Sequence, residues 1–332
     1  MVRLKRVGRD DLTIRRRRHG RRFGFIDADG ELIRDEQIRE RARSLGIPPA
    51  WTDVRIAANP RAHIQAVGTD AAGRLQYIYH ADWEARRSRH KQQQLAMLTT
   101  ALPRIRRRIR DDLEAETGSK QLALAIGVAL IDRTAMRVGR ERYLDANGTR
   151  GAGTLYSRDV LVDGEEVRLS FPAKSGKKAS YSFTNARLAR AIGEVKSIAG
   201  RRLLMYRDDE GKARAVRTED LNRYIRDVAG VAVTAKDFRT LHASALAGEA
   251  LAKLEPAESV TGRKRQMAAV TKQVATFLQN TPAICRASYI TPCLYALFDK
   301  GRLGGLWAAG GDGANGVKQR EIRLAAVLEA AG

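Results

Sequence analysis

The apolar period of this chain changes near residue 90, and that change sets what it can fold into. Before it, Leu12-Thr13-Ile14, Phe23-Gly24-Phe25-Ile26, Val54-Arg55-Ile56-Ala57, His63-Ile64-Gln65-Ala66-Val67 and Leu75-Gln76-Tyr77-Ile78-Tyr79 alternate as strands do. Asp27-Ala28-Asp29-Gly30 carries a hairpin-turn signal, and residues 68–73 read as a loop. Residues 35–45 predict the one helix of this part, closed by Gly46. The charge-rich segment from Trp83 to about Gln94 reads as a linker running into helix.

Beyond it the spacing is mainly helical. Gly118-Ser119 opens a long apolar helix over residues 122–136, and further helices are predicted over 185–198 and 219–228. Thr234-Ala235-Lys236-Asp237 is a capping box for a helix to about Leu254, and Met267, Val270, Val274, Phe277 and Leu278 mark another. One β interruption lies between Leu155 and Phe183, turning at Ser175-Gly176-Lys177-Lys178. Gly-rich residues 301–316 read as a flexible link to a terminal helix. The expected class is α+β: a small β-rich domain over 1–90, a larger mainly helical domain with a small antiparallel sheet over 91–300, and the link and terminal helix over 301–332.

The 332 residues carry a formal charge of +23, a field that draws in polyanions. Residues 1–90 hold 20 of the 61 Lys and Arg and 12 of the 38 acidic residues, so both parts share the excess and both could line a phosphate backbone. Nucleic acid is favoured over anionic membrane. No apolar run approaches the roughly 20 residues needed to cross a bilayer, and the amino terminus lacks the apolar core of a secretion signal. Two cysteines, Cys285 and Cys293, imply no disulfide framework and fit a reducing cytoplasm. The five histidines show no metal-site spacing, and no Walker-type loop is present. Neither a metal nor ATP nor any other cofactor is expected.

Four pieces carry chemistry. Gln279-Asn280-Thr281-Pro282-Ala283-Ile284-Cys285-Arg286-Ala287-Ser288-Tyr289 sets a tyrosine near the end of a short helix, with Thr281 as N-cap and Pro282 at the first helical position. Pro292 limits its continuation. Lys236-Asp237-Phe238-Arg239 puts Arg239 in the first turns of the capped helix, with His242 one turn on in a packing or hydrogen-bonding role. Arg137-Val138-Gly139-Arg140-Glu141-Arg142-Tyr143 follows the long apolar helix, where arginines could either cap the helix end or join Arg239 in clamping a phosphate. Lys174 starts a hairpin turn, which is either an ordinary basic turn or a mobile hairpin presenting an ammonium to a leaving oxygen.

In their chain order, Arg137, Lys174, Arg239 and then Tyr289, the pieces resemble the type IB DNA topoisomerases, in their compact bacterial and poxvirus-like form, over nearly the whole chain. The resemblance implies a clamp around duplex DNA and a monomer working in the cytoplasm on the bacterial nucleoid. Tyr289 would be the nucleophile of a 3′-phosphotyrosyl intermediate that permits strand rotation and religation. Arg137 and Arg239 would stabilise the phosphoryl transition state, and Lys174 would be the general acid. Poxvirus members carry a histidine nine residues before the tyrosine where this chain has Asn280, read here as a donor to a non-bridging oxygen. Gln76, Tyr77 and Tyr79 match a DNA-facing strand of the family, and Arg140 and Tyr143 match its DNA contacts beside the catalytic arginine. Tyrosine recombinases share this ancestry but usually carry His-x-x-Arg where Lys236–Arg239 stands, and their amino-terminal DNA clamp is typically helical. A non-catalytic architectural DNA-binding protein would explain the charge but not the ordered motifs.

Overall fold

The computed structural model describes residues 3–20, 22–311 and 317–331. The chain divides into two compact units, residues 1–90 and 91–332.

In the first unit, β1 (Ile14–His19), β2 (Arg22–Ile26), β3 (Thr52–Ile56), β4 (Ile64–Thr69) and β5 (Leu75–Tyr79) form one antiparallel sheet in the order β2-β1-β3-β4-β5. Alternation sends Ile14, Phe25, Val54, Ile56 and Ala66 to one face, where α1 (Glu36–Ser44) supplies Ile38 and Ala42. An irregularity in β4 between Ile64 and Ala66 puts Ile64 in a separate cluster. Asp35 caps α1 by accepting from the amides of Gln37 and Ile38. The β1–β2 hairpin reverses at Gly20, in a left-handed conformation. The expected turn at residues 27–30 folds the end of β2 back on the chain that follows, with Ile26 and Leu32 paired antiparallel and Asp27 N–H donating to Glu31 O at 3.0 Å. In that turn the Asp27 side chain accepts from the amides of Asp29 and Glu31.

The segment read as a linker is helix. α2 runs unbroken over Ala81–Asp112, its polar first part supported by such pairs as Glu84–Arg87. The second unit then contains α3 (Lys120–Thr134), α4 (Glu141–Asn147), the sheet of β6 (Val160–Asp163), β7 (Glu166–Pro172) and β8 (Lys178–Thr184), α5 (Ala186–Lys196), a short hairpin of β9 (Met205–Arg207) and β10 (Ala213–Ala215), α6 (Thr218–Ala229), α7 (Ala235–Ala252), α8 (Val260–Phe277), α9 (Pro282–Ile284), α10 (Pro292–Asp299), α11 (Leu303–Ala309) and α12 (Val317–Ala330). Ser119, Asn185 and the Thr234–Asp237 capping box start α3, α5 and α7 as their side chains dictate. Apolar nearly all round, α3 lies in the core, with Leu122, Ile126, Leu130 and Ile131 fully buried. Each such side chain contributes about 1.5–3 kcal/mol.

The β9–β10 hairpin has no counterpart among the elements expected from the sequence. Nor has α11, which occupies part of the stretch read as a flexible link. Glycine costs a helix about 1 kcal/mol each, but burial of Leu303 and Trp307 offsets it. Trp307 rests on Gly248, where a β-carbon would lie 2.2 Å from the indole. Residues 312–316 of that stretch lie outside the described residues. No helix among the described residues is long and apolar enough to cross a membrane.

Candidate active site

The loop after α3 places Arg137. Ala135 ends the helix in the left-handed conformation, at a cost of about 1–2 kcal/mol for a residue with a β-carbon. The next residues run as a strap against the segment that follows α4. Ala152 N–H donates to Arg137 O at 2.9 Å and Gly153 N–H to Val138 O at 2.7 Å. Two glycines make the approach possible. Gly139 has a φ of +80°, and a β-carbon on it would lie 2.3 Å from Thr154 Oγ1. Arg137 is therefore past the helix end, half-buried, and does not cap it.

Arg239, on the second turn of α7, is only 3% exposed. One terminal nitrogen donates to Ala135 O and the other to Leu278 O at 3.1 Å, while Nε has no partner among the described residues. The guanidinium is thus held by two backbone carbonyls, with Nε left over. It lies 5.0 Å from the centre of the Tyr289 ring. Arg137 joins this group. Burial and the neighbouring Arg239 lower its pKa, while Tyr289, Tyr181 and Cys285 oppose that shift.

Thr281 and Pro282 open α9 as their residue types require: Thr281 Oγ1 accepts from Ile284 N–H at 3.3 Å. The helix then widens into a π-turn over Cys285–Tyr289, with Ile290 N–H donating to Cys285 O at 3.0 Å. The backbone after the ring is held from two sides. Ser244 Oγ, on α7, donates to Tyr289 O and accepts from Thr291 N–H, both at 3.1 Å. Lys91 Nζ, on α2, donates to Ile290 O at 3.3 Å. Burial and the charge of Lys236 hold the Lys91 ammonium down to about 8, against the opposing pull of Asp237.

Asn280 lies two residues beyond the carbonyl that Arg239 grips. Its backbone N–H donates to Ala275 O, its side-chain oxygen accepts from Thr281 N–H, and its NH2 has no partner among the described residues. Lys174 stands exposed at the start of the short helical turn joining β7 to β8, and no contact among the described residues ties it to the two arginines. Its hairpin reaches them through Tyr181. Burial raises the pKa of that phenol, and Arg239 and Arg137 pull it back. Cys285 shows the same balance. Sequence reasoning missed Tyr181, Ser244 and Lys91. Tyr181 had a signal, the inward alternation of Ala179, Tyr181 and Phe183 on β8; the other two are set by tertiary packing alone.

His242 has the structural role expected of it, with Nε2 donating to Asp132 O at 2.6 Å. Of the residues matched to DNA contacts, Arg140 is the exposed residue before α4, and Tyr143 on α4 is 47% exposed beneath the Arg142 guanidinium. In the first unit, Tyr77 and Tyr79 stack on one face of β5 with centroids 5.9 Å apart, and Tyr77 is 40% exposed. Gln76 donates to Asp70 at 2.9 Å.

The chain is similar to known DNA topoisomerases. Residues 80–291 match the family described as eukaryotic DNA topoisomerase I, catalytic core. Residues 22–70 match the bacterial DNA topoisomerase IB N-terminal domain. The DNA topoisomerase 1B of Acanthamoeba polyphaga mimivirus is 30% identical over 285 residues, covering 83% of this chain and 84% of that protein. The DNA topoisomerase 1 of Rabbit fibroma virus (strain Kasza) is 22% identical over 287 residues, covering 80% and 86%. The chain belongs to the type IB DNA topoisomerases, a family of DNA-acting enzymes.

Proposed function

We propose that the chain relaxes supercoiled duplex DNA by transient cleavage of one strand, with Tyr289 as nucleophile. The phenolic oxygen attacks the scissile phosphorus, its proton passing to solvent water. The bond to the 5′-oxygen breaks, and Lys174 protonates that oxygen as it leaves. A 3′-phosphotyrosyl link and a free 5′-hydroxyl result. The free end rotates about the intact strand, and the hydroxyl then attacks the phosphotyrosine to restore the backbone. Arg137 and Arg239 neutralise charge on the non-bridging oxygens, and the Asn280 NH2 donates a hydrogen bond to one of them. Phosphodiester energy is kept in the covalent link, so no step draws on ATP, and the arginines fill the part a metal would otherwise take. Gln76, Tyr77, Tyr79, Arg140 and Tyr143 contact the duplex around the cleaved phosphate, and the enzyme acts as a monomer on the bacterial nucleoid.

The observation that carries this reading is the buried Arg239 guanidinium, held by two carbonyls over the Tyr289 ring with Arg137 beside it. It is tested by incubating supercoiled plasmid with the enzyme in EDTA without nucleotide. Relaxation in steps of one linking number is expected, and an absolute requirement for magnesium or ATP contradicts the mechanism.

A further inference from the structure

Behind the arginine pair lies a cluster of charged side chains that the reaction leaves unassigned. Arg106, on α2, donates through Nε and one terminal nitrogen to both oxygens of Asp132, at 2.8 Å each. It also donates to both oxygens of Glu321, at 2.6 and 2.8 Å. Glu321 is on α12, and its side chain is 5% exposed. Burial works against the Arg106 charge, but the two carboxylates outweigh it and raise the guanidinium pKa. Asp132, His242 and Glu321 lie close enough together to suggest a cation site, yet Arg106 already supplies that positive charge to both carboxylates.

This cluster connects to the reacting residues through backbone. The last carbonyls of a helix lack partners within it. At the end of α3, Asp132 O accepts from His242 and Ala135 O from Arg239, two side chains one turn apart on α7. α7 is thereby indexed to the end of α3, and two residues past Ala135 comes Arg137. The Asp132 side chain sits on that same last turn and is held by Arg106, which Glu321 orients from its other edge.

We propose that α12 is a working part of the catalytic unit: Glu321 seats Arg106 on Asp132, keeps the carbonyl end of α3 in register with α7, and so sets the separation of Arg137 and Arg239. Glu321 and Arg106 are positioning residues. They touch neither DNA nor the reacting atoms, and the role rests on the proposed reaction.

The test is single-turnover cleavage of a duplex that cannot religate, at saturating enzyme, comparing wild type with Glu321→Ala, Glu321→Gln and Arg320→Ala. Arg320 pairs α12 with Glu249 on α7 and lies outside the cluster, so its loss loosens helix docking without touching Asp132. Glu321→Ala should slow cleavage by roughly 10- to 100-fold, the scale of a small misplacement of catalytic groups, with duplex affinity unchanged. Glu321→Gln, which keeps the shape and one acceptor, should fall between; it decides the matter if the alanine variant does not fold. Arg320→Ala should lower the melting temperature and cleave at the wild-type rate. Folded Glu321 variants that cleave like wild type overturn the proposal, as does an equal slowing by Arg320→Ala. A wild-type protein that forms no adduct would instead remove the reaction on which the proposal stands.

Discussion

The backbone of Gly151 runs so close to Arg137 that a β-carbon on the glycine would sit 2.4 Å from the arginine's carbonyl oxygen. The obstacle is backbone on both sides, since Gly139 N would lie 2.5 Å away. Gly151→Ala must therefore push the Arg137 strap outward. Overpacking of this kind typically costs about 1–3 kcal/mol. A lower melting temperature should come with slower cleavage, because the displaced strap carries Arg137. Unchanged cleavage in the folded variant would detach Arg137 from the reaction.

Lys174 and Asn280 are separable by chemistry. Lys174→Ala should slow cleavage about 100- to 10,000-fold, the usual contribution of a general acid. A substrate with sulfur at the 5′-bridging position should rescue it, because a thiolate leaves without protonation. Asn280→Ala, which removes a donor to a non-bridging oxygen, should lose about 100- to 1,000-fold and gain nothing from the sulfur. Asn280→His should keep most activity, since an imidazole N–H can supply the same donor. Rescue of both alanine variants, or of neither, would overturn the division of roles.

Lys91 makes stability depend on pH in a defined direction. Its pKa falls from 10.5 in the unfolded chain to about 8 in the fold. Between those values the unfolded chain binds more protons, so stability from this group rises with pH across that window and the full penalty applies below it. Each tenfold loss of proton affinity corresponds to about 1.4 kcal/mol. Lys91→Met should therefore be more stable than wild type at pH 7, less the roughly 1 kcal/mol of the lysine's bond to Ile290 O. The difference should shrink by pH 10. Denaturant unfolding of both proteins at the two values checks this; an advantage that does not change with pH would contradict it.

Local chemistry made much of this molecule legible in its sequence. Thr281-Pro282, the Thr234 capping box, Ser119 and Asn185 each act within a few residues, and the structure starts helices at all four. The family resemblance, not any local rule, implied that Arg137, Arg239 and Tyr289 meet, and the structure groups them. What stayed hidden depends on partners far along the chain. Ser244 holds Tyr289 across 45 residues, and Arg106 meets Glu321 across 215. The π-turn at Cys285–Tyr289 has no composition of its own. The polar start of α2 and the glycines of α11 imitate linkers because propensity is a weak force beside packing.

The central claim is that Tyr289 forms the covalent bond to DNA. It is tested by denaturing a mixture of enzyme and 5′-labelled duplex, digesting the adduct with protease and locating the modified residue by mass spectrometry. Wild type should yield label on the peptide carrying Tyr289. Tyr289→Phe, which keeps the ring over which Arg239 lies, should bind duplex with little change in affinity and form no adduct. Plasmid relaxation by the phenylalanine variant, or an adduct on a different residue such as Tyr181, would contradict the account.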